Sequence, residues 1–597
     1  MIQGQHEPGL GGIRSFIIYS EIFNQSPTPR YVELLFERMN QAQVMRLISS
    51  VSLLLFNDPL NALSSEQQRQ LTRPYEREQP WIRRLGQLIS NNRVLVHDIQ
   101  IGIMARLGIL HSLDTDTNGN FIDLFFRALL AVNELHGKTQ LRPGPKQVTP
   151  DAFLQIELQS EILPNERLGN VLRRYNRFIE WCRERGESDQ DYLPIDTDFP
   201  RLIGMPFDDY AAASYSFFSK FLTLKSAFEI EDAGGPFLSL KVLVGSLSDP
   251  SALKTWLNRF SMTLDAMKEK LEADRTTYRS ADLVPFIQTP LLLAEKDVII
   301  CPLPSLLQNT AGAGLYFSLF DAYKQEGGDD AAMRFSRAFG LFLEDYCYEL
   351  LSFGTAKLPI TVSREIKYDT PQGQRKSTDI VLRDEYSVAA FLEISKKRFN
   401  LLKTIVDEDA TGLATDIDQM VIEKAQQIDR SYRDLLTGYY TYPFEIALIV
   451  PIVVTAQDIP GMLAVKKIIR DRIRERGFFA GLPATELAYL SIDELESLVV
   501  AYPGTLDLGA LVREKLDHPS SIARAAGVRN YLYFFKNEDV TRDGARGAVL
   551  PGDAEYFRNV IMKTLERWGL QVDWEQTDRF LAERHQAAPT GLTRPSS

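Results

Sequence analysis

Between Ser377 and Asn400 the chain reads STDIVLRDEYSVAAFLEISKKRFN, which places acids where charge is hardest to accommodate. Asp379 leads directly into Ile380, Val381 and Leu382, and Glu393 closes the apolar run that begins at Val388. A carboxylate inside such a run is costly unless a cation or several hydrogen bonds offset its lost hydration. Lys396, Lys397 and Arg398 follow at once. Any fold for this chain must therefore bring two apolar strands together with their acids at a shared end, close to a basic cluster.

The flanking sequence has the alternation such a fold requires. From Glu326-Gly-Gly-Asp-Asp330, a glycine- and acid-rich boundary signal, it predicts a helix over Ala331–Ser352 and strands over Ile360–Tyr368, Thr378–Arg383 and Val388–Ser395. A helix (Leu413–Leu436), a strand (Phe444–Thr455), a helix (Met462–Arg476) and a strand (Glu486–Leu490) come next. Ser491-Ile-Asp-Glu494 is a capping box that opens one more helix. Strands without polar alternation imply a mixed sheet buried on both faces by helices.

Two acids and a lysine at strand ends are the parts of a divalent-metal phosphodiesterase site. Hydrolysis of a phosphodiester needs an activated water and a counter-charge for the phosphate. Mg2+ takes oxygen ligands and keeps several waters, so two carboxylates suffice to hold it. The order helix, three strands, helix, strand, with acids on the second and third strands, resembles the core of the PD-(D/E)XK nuclease superfamily over residues 331–500. Thr378-Asp379 stands where that family has Pro-Asp, and Glu393-Ile-Ser395-Lys396 stands where it has its acid-x-lysine strand. The helix containing Gly340 and Glu344 is similar to the family's first core helix, and Lys424-Ala-Gln-Gln427 to the helix that lines its substrate groove.

The resemblance implies Asp379, Glu393 and Glu344 as ligands of Mg2+ or Mn2+, with Lys396 or Lys397 as the catalytic lysine. It implies Lys396, Lys397, Arg398 and Gln427 as nucleic-acid contacts, with DNA preferred over RNA. The lysine departs from the family pattern. Period-two geometry puts position 395 on the face of Glu393, and that residue is serine. Lys396 has the opposite parity and joins the site only if the strand ends or bulges there, while Lys397 regains the parity at a greater distance.

The remainder of the chain reads as mostly helical. Residues 1–150 form one helical segment, with runs at Arg30–Phe56 and Trp81–Leu113. Residues 151–326 form a second, with helices at Asn165–Arg185 and Pro250–Arg275, a loop at Glu231–Pro236 and a hairpin over Pro290–Pro304. Residues 327–502 hold the nuclease-like core. Residues 503–597 form a small tail domain with Tyr531–Phe535, a small-residue loop over Asp543–Ala548, the helix Ala554–Trp568 and a disordered end. The expected class is thus multidomain: a mostly α N-terminal half, an α/β restriction-endonuclease-like core, and a small C-terminal domain. Asp114-Thr-Asp-Thr-Asn-Gly119 matches the first half of a calcium loop, but Phe125 stands where the bidentate acid belongs, so it reads as a polar turn.

Composition narrows the partners. A net charge of −12 confines any nucleic-acid contact to a local positive groove. The helix from Lys466 to Arg476 carries six basic residues and reads equally as the flank of such a groove or as a solvated face. Three scattered cysteines and six scattered histidines give neither a disulfide framework nor metal-ligand spacing. No signal-peptide layout, no long apolar run and no nucleotide-binding glycine loop is present, so a cytoplasmic protein without membrane or ATP chemistry is expected. The leading expectation is an Mg2+-dependent endodeoxyribonuclease whose helical half selects a substrate, a protein partner or a second copy. Defence against foreign DNA follows only by analogy of fold. The alternatives are an inactive nuclease-like module that binds nucleic acid, and an adaptor that holds protein partners.

Overall fold

The computed structural model describes residues 17–569 except 57–64, 78, 91–92, 115–120, 141–167, 187–188, 190, 224–236, 240–248, 296–297, 399–409, 458, 460–462, 521–522, 525–526, 537–549 and 551–552. The Asp114–Gly119 turn (after its first residue), the 231–236 and 543–548 loops and the terminal segment lie outside the described residues.

The N-terminal half is helical, with breaks that periodicity does not announce. The run at Arg30–Phe56 forms two helices, Pro29–Phe36 and Gln41–Phe56. They part at Asn40, whose side-chain oxygen accepts the Gln43 N–H and whose backbone bridges to Leu113. Trp81–Leu113 likewise splits into Pro80–Ser90 and Asp98–His111. Packing also ignores the division near residue 150. The core built on Val44, Ile48, Ile101 and Phe125 takes in Met267, Leu271, Leu283, Leu292 and Leu306 from the second segment. Pro250–Arg275 is two helices, because Ser261–Thr263 joins as a parallel strand to Leu291–Glu295 of the 290–304 hairpin.

The second half is entered by α1 (Gly314–Gly354), two helical arms that meet at the glycine-rich stretch 326–330. The chain kinks there at Gly328, with φ 73° and ψ −169°, a conformation open to glycine alone. The two arms of α1 pack on each other: the rings of Tyr316 and Tyr323 lie 5.4 and 5.3 Å from Phe335.

After α1 come β1 (Thr361–Arg364), a separate ribbon of β2 (Lys367–Thr370) and β3 (Gly373–Lys376), then β4 (Ile380–Arg383) and β5 (Val388–Ser395). A π-helical turn, Asp418–Ile422, leads into α2 (Glu423–Leu436), followed by β6 (Leu448–Thr455), α3 (Leu463–Glu475), β7 (Ala488–Ser491) and α4 (Ile492–Ala501). The main sheet has the order β7-β6-β5-β4-β1. The β1–β4 and β4–β5 pairs are antiparallel, and the β5–β6 and β6–β7 pairs are parallel. The expected capping box forms at Ser491, whose hydroxyl accepts the Glu494 N–H while Glu494 accepts that of Ser491.

Both faces of this sheet are covered, as unbroken apolar runs require. Ile380, Leu382, Leu392, Ile394 and Val454 pack with Phe339 and Leu343 of α1. Val381, Ala389, Phe391 and Val453 pack with Ile428 and Tyr432 of α2 on the other side. Each fully buried Val, Leu, Ile or Phe among these contributes about 1.5–3 kcal/mol. The tail is not separately cored: Tyr531, Leu532, Ile561 and Trp568 join the cluster that contains α1. A buried ion pair ties the halves together, with Arg174 donating to both oxygens of Glu496 on α4 at 2.9 Å. No helix among the described residues is long and apolar enough to cross a membrane.

Candidate functional site

Sheet register brings the two acids together. Ile380 pairs with Leu392 across β4 and β5, so one step further Asp379 opposes Glu393. Period two puts both on the face that carries Val381 and Phe391, under α2. Asp379 Oδ2 accepts the backbone N–H of Ile394 at 2.7 Å, which fixes its carboxylate across the strand. Both side chains are nearly out of solvent, 12% exposed for Asp379 and 4% for Glu393.

The cation that meets them is Lys424. Its ammonium donates to Glu393 Oε2 at 2.9 Å, stands 3.9 Å from Asp379 Oδ2, and donates to Gln427 Oε1 at 3.1 Å. Lys424 lies in the first turn of α2, directly after the π turn. The wider turn inserts a residue and so resets the direction of every side chain that follows. Sequence reading placed this residue on a groove-lining helix and missed it as the partner of both acids. A signal was present: Lys424 stands four and eight residues before the buried Ile428 and Tyr432, at the head of an inward stripe.

The sequence-derived lysines lie elsewhere. β5 ends at Ser395, and Lys396 leaves on the α1 side of the sheet. Its stem crosses α1 at Gly340: a Cβ there would come within 2.5 Å of Lys396 Cδ. Glycine leaves room for that stem, and the negative charge of Glu344, one turn further along α1, reaches the Lys396 ammonium. Lys397 is exposed, and Arg398 stacks its guanidinium 5.2 Å above the Tyr316 ring. Gln427 is brought to the carboxylates through Lys424. On α3, Arg472 and Arg476 pair with Asp418, while Lys467, Arg470 and Arg474 are exposed.

The electrostatics show a site short of positive charge. Burial, then the charge of Asp379, raises the Glu393 carboxyl to about 8 despite the opposing pull of Lys424. Burial also raises Asp379, with Lys424 and the Ile394 N–H acting against it. Glu344 is raised to about 7 by burial and then by Asp379. Crowded carboxylates that hold protons near neutrality give them up to a cation. The consequence for stability has a definite sign. Between the ordinary glutamate range and about pH 8 the folded metal-free protein holds protons that the unfolded chain has released, so stability falls as pH rises through that window. Urea unfolding between pH 5 and 8.5 should show that decline in the wild type and a shallower one in Glu393→Gln; equal slopes would contradict the assignment.

Among the described residues no three His, Cys, Asp or Glu side chains converge on one ion. Two carboxylates do share one cation position, because a single ammonium reaches both. The Ser395 hydroxyl, on the same strand face as Glu393, is buried and has no hydrogen-bond partner among the described residues. Paired oxygens with an unsatisfied hydroxyl nearby fit a hard divalent ion that retains most of its water. No family model, curated protein or solved structure matches the chain.

Proposed function

We propose that this protein is a metal-dependent phosphodiesterase acting on nucleic acid, an endonuclease that takes DNA in preference to RNA. The observation that carries the reading is the meeting of Asp379, Glu393 and Lys424 at the end of a buried sheet. Ordinary packing gives no reason for a strand pair to bury two opposed carboxylates; a cation site does.

Asp379 and Glu393 would hold Mg2+ or Mn2+; the expected third ligand, Glu344, does not converge with them and meets Asp379 only through its charge. The bound ion would supply an activated water and charge neutralisation for the phosphate. The Ile394 N–H keeps Asp379 in one rotamer, so the ligand pair is preorganised rather than assembled on binding. Lys424 holds a positive charge within reach of both carboxylates and of any phosphate they help to bind. Gln427 limits where that ammonium can swing. The low exposure of the acids excludes bulk water and strengthens each of these interactions.

One observation favours a second reading. The Lys424–Glu393 contact already gives the site a cation, as in a decayed nuclease that binds nucleic acid without turnover. The two are separated by incubating plasmid, linear and single-stranded DNA with the wild-type protein in Mg2+ or Mn2+. Cleavage that a chelator arrests supports the enzyme. Salt-sensitive binding with every substrate left intact supports the inactive module and sinks the catalytic proposal.

A further inference from the structure

The ribbon of β2 and β3 stands outside the main sheet and is two-faced. Its register pairs Lys367 with Lys376, Tyr368 with Arg375, and Asp369 with Gln374. Tyr368 and Arg375 therefore share one face, and that face is anchored. The Tyr368 ring stacks on Tyr440 at 4.5 Å, and its hydroxyl donates to Asp434 at the end of α2. Arg375 donates to both oxygens of the same carboxylate, at 2.8 and 3.2 Å. The base is closed by paired hydrogen bonds between Ile366 and Ser377.

The opposite face carries Lys367, Lys376, Asp369 and Gln374, all exposed. Lys367, Asp369 and Gln374 have no side-chain hydrogen bond or ion pair among the described residues. The turn closes at Gly373 with φ 111°, which keeps the tip narrow. Ser377 is two residues from Asp379, so the ribbon springs directly from the catalytic strand. Lys376, bonded to Glu365 at 2.8 Å, also feels the charges of Glu344 and Asp379.

We propose that this outer face is a nucleic-acid contact that enters the major groove of B-form duplex DNA, which makes duplex the substrate of the neighbouring site. The proposal rests on the phosphodiesterase reading and adds the strandedness of its substrate. Geometry matches: a two-stranded ribbon fits a groove about 12 Å wide, whereas the major groove of A-form RNA is too narrow to admit it. Chemistry matches as well. The lysine pair lies at the base, where phosphates would pass towards Asp379, and Gln374 lies nearer the tip, where base edges offer hydrogen-bond partners, while Asp369 beside it opposes the phosphate charge. The anchored face makes the arm rigid, so little ordering is lost on binding.

The test is binding without divalent metal of three labelled probes: duplex DNA, duplex RNA and single-stranded DNA. The wild type should prefer duplex DNA. Lys367→Glu/Gln374→Glu, which leaves Lys376 and the anchor intact, should weaken duplex DNA binding by about tenfold or more and single-strand binding by about twofold at most. Asp369→Lys on the same face should tighten duplex binding, a gain that misfolding cannot produce. Unchanged duplex affinity in both variants, or a wild type that prefers single strands or binds no probe, overturns the ribbon proposal. Cleavage by the wild type in Mg2+ is scored separately. If cleavage persists while the ribbon variants bind normally, the phosphodiesterase stands and only the ribbon assignment falls.

Discussion

Asp379→Ala should abolish metal-dependent cleavage, with kcat reduced on the order of 10³-fold. Only one protein carboxylate would then face the cation position, and the phosphate would lose its fixed counter-ion. The fold should survive. The substitution strips a buried acceptor from the Ile394 N–H, at a cost of about 1–3 kcal/mol, but it also removes a desolvated charge. Glu393 calls for glutamine rather than alanine, because truncation would leave the Lys424 ammonium buried beside a void. Glu393→Gln should be as inactive as Asp379→Ala while keeping the volume of the side chain. Initial rates on plasmid DNA at saturating Mg2+, with circular dichroism to check folding, decide it. A folded Asp379→Ala protein that cleaves at the wild-type rate would leave the catalytic claim without support.

Lys424→Met should lower kcat on the order of 10²-fold, against a much smaller loss for Lys396→Met. The two lysines approach the end of β5 from opposite faces of the sheet, and only Lys424 bonds a carboxylate there. Methionine is close to the lysine stem in length and shape, so little volume is lost. What disappears is the charge, so the two carboxyls hold a proton more tightly until a metal ion displaces it. Melting temperature should therefore rise more on adding Mg2+ to Lys424→Met than to the wild type, since the ion replaces the missing cation. A Lys396→Met protein that is inactive beside an active Lys424→Met would transfer the role to the α1 side.

The strands of the main sheet were legible because burial on both faces leaves an apolar run with clear ends. Val388–Ser395 has the same limits in sequence and structure. Opposition of Asp379 and Glu393 follows from two strands of known parity and a short connection, so it too was within reach. The identity of the cation was not. Lys424 is aimed by a π turn, and a one-residue change in helical phase leaves no mark on composition or hydropathy. Period two gave Lys396 the opposite parity to Glu393 and left it a place in the site if the strand ended there; the strand does end, but Lys396 runs along Gly340 on the other side. Helix breaks at Asn40 and at Ser261–Thr263 were hidden for a related reason. Each is set by a distant partner, Leu113 in one case and the strand at Leu291 in the other, rather than by a local proline or glycine. The segmentation near residue 150 fared no better, because it assumed that neighbours in sequence share a core.

Asp379 and Glu393 should ligate one divalent ion. Crystals soaked in Mn2+ and measured at a wavelength where manganese scatters anomalously test it most directly. One peak within reach of both carboxylates is expected, with the Lys424 ammonium displaced from Glu393. A peak bound elsewhere in a protein that cleaves DNA, with Lys424 still bonded to Glu393, would contradict it.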